Sequence, residues 1–94
     1  MTTISKWILD WDPAKNASNE AKHGISLDSA SAIFVGPVVI LPSTHPGEPR
    51  YLAIGLIEGR HWTVVYASRG DRLRLISARR SREDEKINFQ KLLG

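Results

Sequence analysis

The sequence predicts an α+β domain with a small antiparallel sheet, two N-terminal helices and a C-terminal helix. Three observations carry this. Two helix-like stretches between Pro13 and Phe34 each begin at a capping side chain and end at glycine. Three strand-like runs follow, Arg50 to Ile57, Arg60 to Ala67 and Arg72 to Ala78, joined by turns short enough to force an antiparallel meander. Helical periodicity returns only after Ser81. Helices thus segregate from strands along the chain, which favours α+β over an alternating α/β arrangement. At 94 residues, one domain spanning 1–94 fills the chain.

Each element has a local reason. From Ser5 to Trp11, Trp7, Leu9 and Trp11 alternate with Lys6, Ile8 and Asp10, as in a half-buried strand. Asp12-Pro13 supplies an N-cap and a proline at the first helical position, where its missing N–H costs nothing. The helix should run to about His23, with Lys22 and His23 complementing the dipole in the last turn and Gly24 ending it. Ser26 is the next N-cap, with Asp28 in the first turn, and this second helix passes through Ala30, Ala32, Ile33 and Phe34 before Gly36-Pro37. Val38 to Leu41 is an apolar strand. Residues 42 to 49 hold three of the five prolines and form a loop, read as either a rim or a mobile lid beside the site. Ser81 and Asp84 have the spacing of a capping box, and Phe89, Leu92 and Leu93 form the apolar stripe that packs the last helix on the sheet.

Charge distribution sets the functional expectation. The net charge is only +3, yet all eight arginines lie at or after residue 50, and from Arg69 to Arg82 six arginines face one acid, Asp71. The segment RLRLISARRSR, Arg72 to Arg82, carries five of them. Guanidinium groups are planar, permanently charged and able to bond phosphate oxygens in pairs, so this concentration points to a polyanion or an acidic partner. The absence of cysteine excludes disulfides, thiolate nucleophiles and cysteine-bound zinc, and fits a reducing, cytoplasmic setting. No signal-peptide pattern and no window near the ~20 apolar residues of a membrane span is present, so no membrane role is expected.

Taken together, WDPAKNASNEAKHGIS, the AIF of the second helix, YLAIG, VVYASRGDRLRLISARR and the terminal helix resemble the BrnT toxin family from about Trp11 onward. The anchors are Lys22-His23-Gly24 and Leu75-Ile76-Ser77-Ala78-Arg79. The chain departs from the usual family pattern at Gly36 and at Glu48-Pro49-Arg50. The resemblance implies a RelE-like ribonuclease fold and an RNA substrate. It also implies a cognate DNA-binding antitoxin that neutralises the toxin, and contact with operator DNA through that antitoxin.

RNA is cut without a metal when its own 2′-hydroxyl attacks the adjacent phosphate. A base must take the 2′ proton, cations must hold the charge that builds on phosphorus, and an acid must protonate the leaving 5′ oxygen. Arginine suits the second task and not the first. Arg79 and Arg80 are therefore assigned to charge stabilisation, Arg79 first because the family resemblance carries over onto it. A regular strand through position 80 would send Arg72, Arg74 and Arg80 to one face and Arg79 to the other. Arg50, Arg69, Arg72 and Arg74 are assigned to tracking the RNA backbone. The proton-transfer candidates are His23, Lys22, Tyr66, His45 and His61. His23 and Lys22 lead because they form a family anchor, although cations are equally at home at a helix C-terminus. Trp7, Trp11 and Trp62 are expected in the core. No metal-ligand spacing or cofactor motif is present, so no metal and no cofactor are expected.

The expected function is a metal-independent endoribonuclease toxin that inhibits translation and growth until its antitoxin binds. The alternatives are a non-catalytic basic module gripping nucleic acid or protein, and a structural domain pairing through a sheet edge.

Overall fold

The computed structural model describes residues 2–4, 7–44 and 46–93. Ser5 and Lys6 of the expected first strand, and His45 among the proton-transfer candidates, lie outside them. Strands β1 (Thr2–Ile4) and β2 (Trp7–Trp11) come first, followed by helices α1 (Pro13–His23) and α2 (Leu27–Ala30) and a 3-10 turn at Ser31–Val35. Strands β3 (Val39–Pro42), β4 (Tyr51–Ile57), β5 (Arg60–Arg69) and β6 (Arg72–Arg80) then lead to helix α3 (Glu83–Leu93). These strands form one sheet in the order β1-β2-β6-β5-β4-β3. The expected meander is present from β4 to β6, β3 extends it antiparallel to β4, and the architecture is α+β. One pairing is parallel, β2 against β6, with Asp10 opposite Arg74. It joins elements more than sixty residues apart, and no local pattern specifies such a partner.

Both N-terminal helices form where their caps dictate. The Asp12 carboxylate accepts from the Ala14 amide and the Ser26 hydroxyl from the Ser29 amide, while Gly24 closes α1 with its N–H on the Glu20 carbonyl. The second helix is shorter than expected, because its last turn tightens to 3-10 geometry at Ser31. This layer covers one face of the sheet. Ile25, Leu27, Ala30, Ile33 and Phe34 pack on Leu9, Ala53, Val64, Tyr66, Leu75 and Ala78, and Trp7, Trp11 and Trp62 complete that core as expected. At Gly55 the 3-10 turn comes so near that a Cβ would lie 2.7 Å from the Ile33 Cβ.

On the opposite face α3 packs mainly over the β3–β4 end, where Phe89 meets Val39 and Ile54. Phe89 alone performs the work expected of the apolar stripe. Leu92 and Leu93, one turn further along the helix, are 63% and 46% exposed. The expected Ser81–Asp84 box is displaced by one residue. Glu85 accepts from the Arg82 amide at 2.8 Å, and the Ser81 hydroxyl instead meets Thr63 Oγ1 at 2.8 Å.

Helix α1 closes the sheet edge beyond the end of β2. Buried Asn19 accepts from the Ala78 amide at 3.1 Å and donates to the Ala78 and Ile25 carbonyls, both at 2.8 Å. Its amide thus does the pairing a neighbouring strand would do. Asn19→Ala is expected to destabilise the fold by ~3 kcal/mol, since three backbone groups lose their partner. Asn19→Asp should fare no better in thermal melts, because a carboxylate would face two carbonyls.

Candidate nucleic-acid interface

The face left open by α3 is where the basic side chains gather, and a bulge in β6 puts them there. Val65 pairs with Ser77 and Tyr66 with Leu75, leaving Ile76 as an extra residue. Alternation therefore resets at Ile76. Leu73, Leu75 and Ala78 face the helix layer, and Arg72, Arg74, Ser77 and Arg79 share the open face. A regular strand would have split Arg79 from Arg72 and Arg74. Arg80 falls on the other side, with its guanidinium 5.4 Å from the centre of the Trp62 ring.

Three adjoining hollows cross the open face. The first is lined by Arg50, Arg69, Arg72 and Arg74 together with Asp10, Asp12, Lys15 and Glu48. The second is lined by Arg50, Ser77, Arg79 and Arg82, with Ser43 and Thr44 of the loop after β3. Lys15, Asn19, Lys22 and His23 of α1 border the third, together with Ser77. Ile76 lines all three, so they converge on the bulge. Bulges commonly re-aim side chains beside functional sites.

Most of these cations already have a carboxylate. Arg74 meets Asp10 at 2.8 Å, and its hydrogen bond and charge hold the Asp10 carboxyl below the usual carboxylate range. Glu48 of the proline-rich loop grips Arg69 through Nε at 3.0 Å and a terminal nitrogen at 3.1 Å, so that loop is a rim pinned to β5. Arg72 lies 3.6 Å from Asp71. Arg79 is the most deeply engaged: both terminal nitrogens donate to Glu85, each at 2.8 Å. The Glu85 side chain is only 5% exposed. Burial pushes its carboxyl up, but the bonds from Arg79, the Arg82 amide and Thr63, with the Arg79 charge, outweigh this and bring it down to about 2. The same hydrogen bond raises Arg79 against the opposing effect of its burial. Arg50 differs from all of these. Its side chain makes no hydrogen bond or ion pair among the described residues, and its Nε is buried without a partner.

Among the proton-transfer candidates, Lys22 and His23 are exposed and border the site. Tyr66 is buried in the helix-side core against Tyr51 and Phe34, and burial raises its hydroxyl further, which removes it from the open face. His61 lies edge-on to Phe89, with ring centres 5.2 Å apart. Sequence reasoning missed Lys15 and Ser77 in the lining, gave Arg82 no role beyond the basic cluster, and missed the carboxylates Asp10, Glu48 and Glu85. A signal for Lys15 existed, since Lys15, Asn19 and Lys22 follow the spacing of one helix face.

The structure is thus that of a small basic α+β domain with an arginine-lined sheet face. A model of the family described as the ribonuclease toxin BrnT of type II toxin-antitoxin systems matches residues 11–85. The chain belongs to this family of ribonuclease toxins of type II toxin-antitoxin systems. No curated protein matches it. Among the described residues no helix is long and apolar enough to cross a membrane.

Proposed function

We propose that the chain cleaves RNA across the open sheet face by attack of the RNA's own 2′-hydroxyl, with no metal. In this step the 2′ oxygen bonds to phosphorus as its proton passes to a base. The bond from phosphorus to the 5′ oxygen breaks, and that oxygen takes a proton from an acid, leaving a 2′,3′-cyclic phosphate and a 5′-hydroxyl. The observation that carries this reading is the convergence of the arginine-lined hollows and the Lys22–His23 corner on Ile76. On this reading the arginines hold the charge of the phosphorane and the Lys22–His23 corner moves the protons. His23 is assigned to proton transfer, with Lys22 as an added cation. Arg69, Arg72 and Arg74 track the backbone, exchanging their exposed or half-exposed carboxylate partners for phosphates. Arg79 and Arg80 contribute less than their family position suggests: Arg79 is neutralised by Glu85, and Arg80 lies on the other face. By cutting RNA the toxin inhibits translation and growth. Its antitoxin, a DNA-binding protein, ends this by covering the groove and links the complex to operator DNA.

The test is incubation of labelled RNA with the purified chain in excess chelator. Cleavage leaving cyclic phosphate ends, and abolished by a 2′-deoxy substitution at the cut position, is the expected result. Intact RNA would overturn autonomous cleavage, and binding without product would favour the non-catalytic alternative.

A further inference from the structure

We propose that Arg50 is the residue that grips the reacting phosphate, over the bulge at Ile76, and that Arg79 positions α3 and does not contact RNA. This rests on the reading that the groove takes RNA. Arg50 carries an unmatched charge. Arg69, Arg72, Arg74 and Arg79 each have a carboxylate from this chain within 4 Å. Arg50 stands between them with none, half-buried, its Nε shut away from water and unbonded. A guanidinium kept in that state lacks a counter-charge that must come from outside the chain.

Position and shape identify the anion. Arg50 and Ile76 line both larger hollows, and Ile76 also floors the third, where Lys22 and His23 lie. An anion on Arg50 therefore sits where a strand running between the larger hollows would pass closest to the proton-transfer groups. The terminal nitrogens of Arg50 form a fork that matches two oxygens of a phosphodiester, and a lysine ammonium cannot reproduce this. Arg79 cannot serve the same way, because both of its terminal nitrogens are held by Glu85.

The experiment measures binding of the full chain to a fluorescent single-stranded 2′-O-methyl oligoribonucleotide, which cannot be cleaved, across a salt series. Arg50→Gln is expected to weaken binding about tenfold or more and to lower the salt slope by about one phosphate contact. Arg50→Lys should restore the slope but not the full affinity. Arg60→Gln, at the exposed start of β5, should bind as the parent does. Because the lost side chain has no internal partner, Arg50→Gln should melt no lower than the parent. A loss of affinity in Arg50→Gln without any RNA cleavage by the parent would leave the grip standing and remove the nuclease reading. Equal affinities for Arg50→Gln and Arg60→Gln would overturn the proposal. So would binding of polyglutamate in preference to the oligonucleotide.

Discussion

Glu85→Ala is expected to lose ~3–5 kcal/mol of stability, which is what removing one partner of a buried ion pair typically costs. For a domain of this size that is a large share of the total. The cause is the number of groups Glu85 serves. It accepts two bonds from Arg79, one from the Arg82 amide that starts α3 and one from Thr63 of β5. Alanine strands all of them, with the Arg79 side chain only 20% exposed. Glu85→Gln should fall between alanine and the parent, since an amide keeps one acceptor. Acid should have a related effect. Because the folded carboxyl is depressed to about 2, its contribution is complete above the ordinary glutamate range near 4.3 and fades as pH falls toward 2. Thermal melts at neutral pH and near pH 3 should show the gap between the parent and Glu85→Gln closing in acid. A constant gap would mean that the carboxylate charge contributes little. The double change Arg79→Met with Glu85→Leu should recover much of the lost stability, because the unpaired charge disappears along with its partner.

His23→Ala is expected to slow RNA cleavage by ~10²–10⁴-fold, the range for loss of a positioned acid or base. Its melting temperature should shift by only a few degrees, since an exposed cation in a last helical turn contributes little to stability. Those two readouts separate chemistry from capping. Unchanged cleavage with a small loss in melting temperature would leave His23 as a helix-terminal cation. Lys22→Ala should show a milder loss, concentrated in RNA affinity.

Much of the fold was legible because it is written locally. Asp12-Pro13, Ser26 and Gly24 fix helix ends through their own hydrogen bonds, and Glu58-Gly59, with both φ angles positive at 51° and 78°, makes the tight turn its composition announces. The parallel pairing of β2 with β6 was not legible, because it depends on where the whole helix layer returns the chain. The arginine run was visible, but its geometry was not. One extra residue at Ile76 decides which guanidiniums share a face, and a bulge leaves no mark in a sequence whose apolar pattern tolerates Ile76, Ser77 or Ala78 on either side. Charge neutralisation was equally hidden, since Asp10, Glu48 and Glu85 reach their arginines only after folding. Counting arginines therefore overstated the free positive charge and gave no hint that Arg50 stands apart.

The Asn19 amide has a consequence beyond the stability of one chain. The last residues of β6 run past the end of β2, and an uncovered strand edge invites pairing with the same strand of another molecule. By occupying the Ala78 amide and carbonyl, Asn19 removes that invitation. A chain lacking this side chain is expected to fail by aggregating during expression, ahead of any visible defect in RNA cleavage. Under the proposed function, in which an antitoxin captures the toxin, remaining a single capturable molecule is itself a requirement of the fold.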